Sequence, residues 1–319
     1  MGDSRSFEKL NYSIRPNKNV ERKLIVKLLK AIGSTGQFNV KEYQYIGFGS
    51  IWFVDFTLFH RALGMTDMVS VEKEATRELR LRFNKPFECI KLILREYSDA
   101  FADLNWEKRS VVWLDFDDIL RPELFDDLKR TLLKVKSGSI IFVSVNADSW
   151  QLNNVLQGEE KLSQAEALRL VVEPVNLPAD YEGRITRTMF PALVGNILEN
   201  ACKNAVSEGR PELVFAPMMN LTYADNVPIV TYGGIVLTEG DRAIFDELQL
   251  GHLTYLVGPP QFELAVPNLT VKEKMRFDQL LPRVGMPTSS QLGFKLRDRE
   301  IEAYVKFYLE YPLYGEFQF

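Results

Sequence analysis

Apolar residues along this chain occur with two spacings, one typical of buried strands and one typical of amphipathic helices. Five short runs are apolar almost throughout and have the length of strands: residues 43–48, 68–71, 89–94, 110–114 and 139–145. Other segments carry apolar residues three or four positions apart, as helices do: residues 18–32, 52–63, 74–84 and 122–135. Because apolar strands separated by helices are typical of a parallel sheet covered on both faces, the pattern predicts a doubly wound α/β sheet.

This alternation ends after residue 150. Residues 151–210 have helical spacing, which is clearest at 164–171 and 193–204. Two β-rich runs follow at 212–221 and 227–237, and the polar stretch Ala224-Asp225-Asn226 between them indicates a hairpin. Farther on, Thr270 and Glu273 form a capping-box pattern that opens a helix to residue 280, and another helix is expected at 298–309.

Together these patterns predict an α/β protein with a mostly parallel, seven-stranded sheet. An antiparallel hairpin supplies its last two strands, and a helical extension follows. The chain then divides into an N-terminal helical segment (1–39), a sheet domain (40–240) and a helical C-terminal extension (241–319).

Composition and charge exclude several classes of protein. A formal net charge of -4 over 319 residues gives no strong nucleic-acid signal. The two cysteines, Cys89 and Cys202, are far apart and form no zinc pattern, and two histidines make a histidine-based metal site or catalytic triad improbable. No stretch has the roughly 20 apolar residues of a membrane helix, and the first residues lack the apolar core of a signal peptide. We therefore expect a cytoplasmic protein without a membrane partner.

Candidate functional groups lie at three predicted strand ends. The first strand ends in Gly47-Phe48-Gly49-Ser50, the second at Glu72 and the fourth at Asp115. The carboxyl ends of neighbouring parallel strands line one ligand-binding crevice. The glycines let the backbone approach a ligand and adopt φ values that a side chain would forbid. Glu72 lies 23 residues after Gly49, a separation suited to an acid that accepts hydrogen bonds from ribose hydroxyls.

The glycine turn lacks the third glycine of a dinucleotide fingerprint, since Ile51 and Trp52 stand where that glycine is expected. The pyrophosphate of NAD or FAD needs a bare helix N-terminus at this place. S-adenosylmethionine has a ribose and an adenine but no pyrophosphate, so a glycine turn and a ribose acid are enough for it. The variant turn therefore favours a nucleoside ligand without phosphates.

The end of the fourth strand carries the catalytic candidates, Asp115 and Asp117. Two residues apart, they share one face of an extended segment, whereas Asp118 points the other way. Clustered carboxylates can raise one pKa toward neutrality and produce a general base. Two alternatives remain open at this point: the oxygens also suit Mg²⁺, and Asp117 and Asp118 could simply precede and cap the helix that begins near Pro122.

The order of elements resembles the class I S-adenosylmethionine-dependent methyltransferases over about residues 40–240. "YIGFGS", "VSVEKE" and "VVWLDFDD" look like the first, second and fourth motifs of that class. The chain looks closest to its O-methyltransferase branch, which has similar "GFGS", "VEKE" and "WLDYD" segments and a stretch like the one from Arg15 to Arg22. The resemblance implies a Rossmann-like methyltransferase fold, S-adenosylmethionine as cofactor and an unidentified methyl acceptor. Members of such branches can occur beside bacterial antiphage genes, which implies a role in antiviral defence.

The same resemblance implies roles for individual residues. Gly47, Phe48, Gly49 and Ser50 would line the methionine side of the cofactor, and Glu72 would hold its ribose. Ser98 or Asp99 would lie near the adenine, and Asp115 beside the cofactor's amino group or the acceptor. Two positions depart from the class pattern: Tyr45 replaces an acid, and Ile51 replaces the third glycine.

Three further interpretations follow from these features. Arg15, Lys18 and Arg22 could contact an acidic ligand, but we expect a solvated basic face. Asn146, after the fifth strand, either orients an acceptor or caps a turn. Finally, the altered first motif and the C-terminal extension leave open a methyltransferase-like subunit with little or no turnover, which would bind a protein partner through residues 241–319.

Overall fold

The computed structural model describes residues 15–73, 77–116, 118–157, 160–253 and 261–313. A central sheet contains eight strands with these bounds: β1 Gln44–Phe48, β2 Asp67–Val71, β3 Ile90–Ile93, β4 Ser110–Asp115, β5 Ile140–Asn146, β8 Val214–Ala224, β9 Pro228–Leu237 and β10 Phe262–Leu264. Their order across the sheet is β10-β8-β9-β5-β4-β1-β2-β3. A separate pair consists of β6 Leu156–Gln157 and β7 Glu160–Lys161.

The strands β1 to β5 run parallel to one another, and β9 runs antiparallel to β5. This arrangement confirms the predicted α/β class, and β8 and β9 are the predicted hairpin neighbours. The predicted number of strands was one too low, because β10 adds an eighth strand beside β8. Three residues are too few to produce the alternation by which a strand is recognised in a sequence.

Helices flank the strands in the predicted alternation. Their bounds are α1 Pro16–Ile32, α2 Val54–Leu63, α3 Glu78–Asn84, α4 Tyr97–Ala100, α5 Pro122–Lys134, α6 Gln164–Val171, α7 Phe190–Gly209, α8 Glu239–Asp246, α9 Val271–Asp278, α10 Ser289–Leu292 and α11 Asp298–Phe307. In α5, Pro122 occupies the first turn, where its missing N–H costs nothing. Leu124, Leu128 and Leu132 recur at four-residue spacing and are buried. The capping box of Thr270 and Glu273 is present at the start of α9.

Buried hydrogen bonds fix the central strands against one another. The Trp113 indole N–H on β4 donates to the Ser144 hydroxyl on β5 at 2.9 Å. The same hydroxyl lies 2.7 Å from the Thr231 hydroxyl on β9. Because all three side chains are buried, a shift in register would leave polar groups unpaired in an apolar core. The ends of β4 and β5 are thereby held in register.

The chain groups into two compact units. Of the described residues, one unit contains 15–27, 223–226 and 263–313, and the other contains 28–222 and 227–262. Within the smaller unit, the Asp225 carboxylate accepts hydrogen bonds from the backbone N–H groups of Asn17 and Lys18, each at 3.1 Å. It therefore caps the N-terminus of α1. The division into segments 1–39, 40–240 and 241–319 stays a prediction.

The expected solvated basic face at the start of α1 is wrong. Lys18 and Arg22 are buried, and Arg15 is half-buried. Lys18 forms an ion pair of 3.1 Å with Glu21, whose side chain is fully buried, and the Tyr223 hydroxyl donates to the same carboxylate at 3.2 Å. A charge can be buried when a partner and hydrogen bonds compensate it, and helical spacing by itself does not reveal that partner.

Aromatic residues of the C-terminal segments form packing contacts within the smaller unit. The Tyr304 ring lies 4.3 Å from the Phe277 ring and 5.0 Å from the Tyr311 ring, centroid to centroid. All three side chains are buried. Across the described ranges, no helix combines the length and the apolar character needed to span a bilayer.

The ionisation of Asp127 on α5 is expected to make the stability of the fold depend on pH. Burial raises the pKa of this carboxyl from 3.8 to about 6; Arg130 opposes the shift, whereas Asp126, Glu96 and Glu123 add to it. A raised pKa means that the folded state favours the protonated acid, so ionisation destabilises the fold as the pH rises from about 4 through 6. Because water still reaches the group, the cost is below about 1 kcal/mol.

We therefore expect Asp127→Asn to raise the melting temperature at pH 8 by about 1–2 °C and to have no effect at pH 3.5. Thermal unfolding followed by circular dichroism at both pH values measures this difference. The control is Glu88→Gln, because the Glu88 side chain is 99% exposed and does not contribute to the shift at Asp127. A gain that persists at pH 3.5 would contradict the assignment to ionisation of Asp127.

Candidate active site

The glycine turn follows β1, which lies between β2 and β4 in the sheet. Gly47 and Gly49 are required for space, and the expectation that they adopt φ values forbidden to a side chain is wrong. Neither is among the positive-φ glycines of the described residues. A Cβ on Gly47 would lie 2.5 Å from the Tyr45 hydroxyl oxygen. A Cβ on Gly49 would overlap the Ser70 hydroxyl and lie 2.9 Å from Glu72 Oε1. The absent side chains therefore make room for polar groups from β1 and β2.

The unusual backbone of this loop occurs at Phe53, which has φ 45° and ψ 39°. Ser50 organises the turn before it, because its hydroxyl accepts the Trp52 N–H at 3.2 Å and its carbonyl accepts the Phe53 N–H at 3.2 Å. A left-handed conformation costs a non-glycine residue about 1–2 kcal/mol. The Phe53 ring is buried, with its centroid 5.8 Å from that of Phe56. As a result α2 begins at Val54, two residues later than predicted.

Tyr45, at the position where an acid was expected, is paired with an acid from the next helix. Its buried hydroxyl donates to Asp55 Oδ2 at 3.2 Å. The Tyr45 ring is held between Phe56 and Phe59, each with a centroid 4.8 Å away. A carboxylate therefore lies beneath the glycine turn although none precedes it in β1. Neither spacing nor composition indicates this pair, because it depends on the packing of α2 against β1.

Glu72 and Ser70 stand at the end of β2, next to Gly49. The Glu72 backbone N–H donates to the Ile93 carbonyl at 2.9 Å, which continues the parallel pairing beyond β2. Glu72 Oε1 is buried close to Gly49. The Ser70 hydroxyl is buried and has no hydrogen-bond partner among the described residues. A buried hydroxyl without a partner is costly, which makes Ser70 a candidate contact for a polar group of a ligand.

These residues fit the nucleoside portion of S-adenosylmethionine. Ribose hydroxyls can donate to the Glu72 carboxylate and can either donate to or accept from Ser70. Only a glycine fits beside these two groups, because a Cβ at Gly49 would overlap the Ser70 hydroxyl. Ser70 was not predicted as a site residue. The alternation of side chains along β2 offered a signal, because Ser70 and Glu72 are two residues apart and share one face of the strand.

Ser98 and Asp99 are exposed on α4, directly after β3. The strand β3 pairs with β2, and Val71 is in register with Ile93. The segment that contains Ser98 and Asp99 therefore emerges at the same sheet edge as Glu72. A contact of either residue with adenine stays a prediction.

Asp115 is the last residue of β4 and is half-buried. It is in register with Ser144 of β5, and the following N–H, that of Phe116, donates to the Ser144 carbonyl at 2.9 Å. Asp117 lies outside the described residues. Asp118 forms an ion pair of 3.1 Å with Arg121. The helix begins at Pro122 as expected, but no side chain caps it.

Three aromatic rings connect the strand ends. The Phe48 ring lies 5.6 Å from the Tyr97 ring and 5.1 Å from the Phe116 ring, centroid to centroid, in edge-to-face contacts. Burial raises the pKa of Tyr97 far above its ordinary value, although a hydrogen bond with Thr131 opposes this shift. The phenol therefore stays neutral. Phe48 packs against these aromatic residues, which keeps the middle of the glycine turn in place.

After β5, Asn146 caps a turn, as one of the two interpretations predicted. Its Oδ1 accepts the Asp148 N–H at 2.9 Å, and Asp148 Oδ1 accepts the Trp150 N–H at 3.2 Å. Within the part of the chain that the structure describes, no group of three or more His, Cys, Asp or Glu side chains is arranged to hold a metal ion.

The fold and this edge of the sheet define an α/β protein in which the Ser70 hydroxyl and the Glu72 carboxylate lie beside a glycine turn at the carboxyl ends of parallel strands. The chain belongs to the family described as "Putative O-methyltransferase", whose model matches residues 10–319. No curated protein sequence matches it.

Solved structures with a similar chain path include two O-methyltransferases. One, described as a putative O-methyltransferase from Klebsiella pneumoniae, is 12% identical and has a TM-score of 0.42; the match covers 72% of this chain and 84% of that one. The other is TomG from Streptomyces achromogenes, in complex with SAM, at 12% identity and a TM-score of 0.37, covering 66% and 79%. The family assignment rests on the sequence match over residues 10–319.

Proposed function

We propose that this protein is an S-adenosylmethionine-dependent methyltransferase that transfers a methyl group to an oxygen atom of an acceptor. The observation that supports this most directly is the group formed by Gly49, Ser70 and Glu72. A glycine without room for a Cβ lies beside a carboxylate oxygen and a buried hydroxyl that has no hydrogen-bond partner in the described part of the chain. Such a group suits a diol, and the ribose of the cofactor is a diol.

Each element of the site then has a distinct task. The backbone from Gly47 to Ser50 contacts the methionine part of the cofactor, and Glu72 with Ser70 binds the ribose. Ser98 or Asp99 is nearest the adenine. When bound, the cofactor supplies a methyl group already activated by a positively charged sulfur, so the protein's work is to position the acceptor and to remove its proton. We assign the removal of this proton to the Asp115 carboxylate.

The test is cofactor binding measured by calorimetry with S-adenosylmethionine and S-adenosylhomocysteine. Hydrogen bonds to a charged group contribute about 1.5–3 kcal/mol, so Glu72→Ala is expected to weaken binding about 10- to 100-fold. The matched control is Glu88→Ala, because the Glu88 side chain is 99% exposed and its loss should leave the affinity unchanged.

Two results would contradict the proposal. One is the absence of binding by the wild-type protein at millimolar cofactor. The other is an equal affinity of the wild type and a folded Glu72→Ala variant. If ATP with Mg²⁺ binds instead, the protein is a nucleotide-binding enzyme that uses carboxylates to hold the metal.

A second candidate function is a methyltransferase-like subunit with little or no turnover. The observation that favours it is Tyr45, which occupies the position of an acid and uses its hydroxyl to bind Asp55. Cofactor binding without product formation from any acceptor would support this candidate. A role in a bacterial defence assembly, a protein partner for residues 241–319 and a cytoplasmic location stay predictions.

A further inference from the structure

Two of the four tryptophans are exposed in the loops that follow β1 and β5. Trp52 is 43% exposed and Trp150 is 65% exposed. The other two are engaged elsewhere: Trp113 is buried, and the Trp106 indole N–H donates to the Phe101 carbonyl at 2.9 Å. An exposed indole leaves a large apolar face in water, and such faces at a ligand-binding edge are typical of recognition sites.

The loops that carry these tryptophans flank the end of β4. In the sheet, β4 lies between β1 and β5. Trp52 lies four residues beyond the end of β1, and Trp150 lies four residues beyond the end of β5. Asp115 ends the strand between them. The three groups therefore emerge from neighbouring strand ends of the larger unit, at the edge where parallel strands bind ligands.

The backbone of each tryptophan is held by the same local device. The Trp52 N–H donates to the Ser50 hydroxyl and the Trp150 N–H donates to Asp148 Oδ1, both at 3.2 Å and both two residues back. The two backbones therefore make the same local turn, and both indoles keep exposed surface. Accessible rings presented by such turns are suited to contact a flat ligand.

The two loops begin at strand ends whose spacing is close to that needed for one flat ring between two indoles. Adjacent strands are about 4.8 Å apart, so the ends of β1 and β5 are about 10 Å apart. Stacked or edge-to-face rings have centroids about 4.5–7 Å apart, so one ring placed between two indoles needs about 9–14 Å between them. A bulky or saturated acceptor gains no such contacts.

The removal of the acceptor's proton by a carboxylate also favours a hydroxyl on an aromatic ring as the methyl acceptor. An aromatic hydroxyl has a pKa near 10, whereas an alkyl hydroxyl is closer to water, at about 15.7. A carboxylate therefore removes the proton of an aromatic hydroxyl far more readily. Asp115 is the carboxylate at this position.

Building on the proposed function, we propose that the acceptor is a small molecule whose hydroxyl is attached to a flat aromatic ring, and that Trp52 and Trp150 select this ring. The ring oxygen forms the new bond to the methyl carbon as the bond from that carbon to the cofactor sulfur breaks. The hydroxyl proton passes to Asp115. The products are an aryl methyl ether and S-adenosylhomocysteine.

The test uses the full chain saturated with S-adenosylhomocysteine and two pairs of probes. Catechol is compared with cis-1,2-cyclohexanediol, and 2-naphthol with decahydro-2-naphthol, because each pair differs only in aromaticity. We expect the aromatic member of at least one pair to quench tryptophan fluorescence and to bind at least about 10-fold more tightly in calorimetry.

Substitutions then assign the preference to the two indoles. Trp52→Ala and Trp150→Ala should each weaken binding of the aromatic probe about 2- to 10-fold. Trp52→Phe and Trp150→Phe, which keep a ring, should retain most of the affinity. Leu79→Ala removes an exposed apolar side chain on α3 and is the control. Affinity for S-adenosylhomocysteine should be the same in all variants.

The outcomes separate this inference from the proposed function. Failure of the wild type to bind S-adenosylhomocysteine overturns the function itself. If the wild type binds S-adenosylhomocysteine normally but prefers neither aromatic probe over its saturated counterpart, only the proposal of an aromatic acceptor is overturned. The same holds if both alanine variants keep the aromatic preference.

Discussion

Gly49→Val is expected to abolish cofactor binding while the chain stays folded. A Cβ at this position overlaps the Ser70 hydroxyl and reaches Glu72 Oε1 at 2.9 Å, so the two side chains that we assign to the ribose must move. Overpacking costs about 1–3 kcal/mol, and the loss of charge-assisted hydrogen bonds to the ligand costs about 1.5–3 kcal/mol more. Together these costs predict an affinity at least about 100-fold lower.

Calorimetric titration with S-adenosylhomocysteine measures this effect, and thermal unfolding shows whether the variant is folded. Gly240→Val is the matched control, because a Cβ at Gly240 meets no atom within 4 Å. The milder change Gly49→Ala, made in the wild type and in a Ser70→Gly background, tests the cause: if overlap with the Ser70 hydroxyl is responsible, Gly49→Ala should weaken binding less in the Ser70→Gly background than in the wild type. A folded Gly49→Val protein that binds like the wild type would show that this turn does not hold the cofactor.

Asp115→Asn is expected to lower the rate of methyl transfer about 10²- to 10⁴-fold, the usual contribution of a positioned general base. The substitution keeps the size of the side chain and removes its ability to take a proton. Because the ribose contacts at Glu72 and Ser70 are unchanged, S-adenosylhomocysteine should bind within about threefold of the wild type. A lower rate of methyl transfer with unchanged cofactor affinity would show that Asp115 acts on the acceptor and not on the cofactor.

The rate is measured as S-adenosylhomocysteine formed in the presence of a small-molecule extract, with the same reaction without extract as the blank. Asp118→Asn is the control from the same segment, since Asp118 pairs with Arg121. If Asp115→Asn instead lost cofactor affinity with an unchanged rate at saturation, Asp115 would be a contact of the cofactor's amino group. An unchanged rate together with unchanged affinity would remove Asp115 from the site.

Local patterns in the sequence were sufficient for most of the fold. The apolar strands and the helices between them were predicted to within a few residues, because burial on both faces of a parallel sheet leaves a continuous apolar run. The start of α5 at Pro122 and the capping box at Thr270 were also predicted, since both depend on neighbouring residues. The edge strand β10 was missed because it is too short to have a period.

Part of the candidate site was likewise predictable from the sequence, and part was not. The residue pattern alone was enough to predict that a glycine turn, Glu72 and Asp115 follow strands of one parallel sheet, because the carboxyl ends of such strands lie at the same edge. Their surroundings follow from the folded chain: the Asp55 carboxylate bound by Tyr45, the Ser70 hydroxyl beside Gly49, which has no hydrogen-bond partner among the residues the structure describes, and the burial of Lys18 against Glu21. Each of these depends on packing or burial, which the local spacing of residues does not encode.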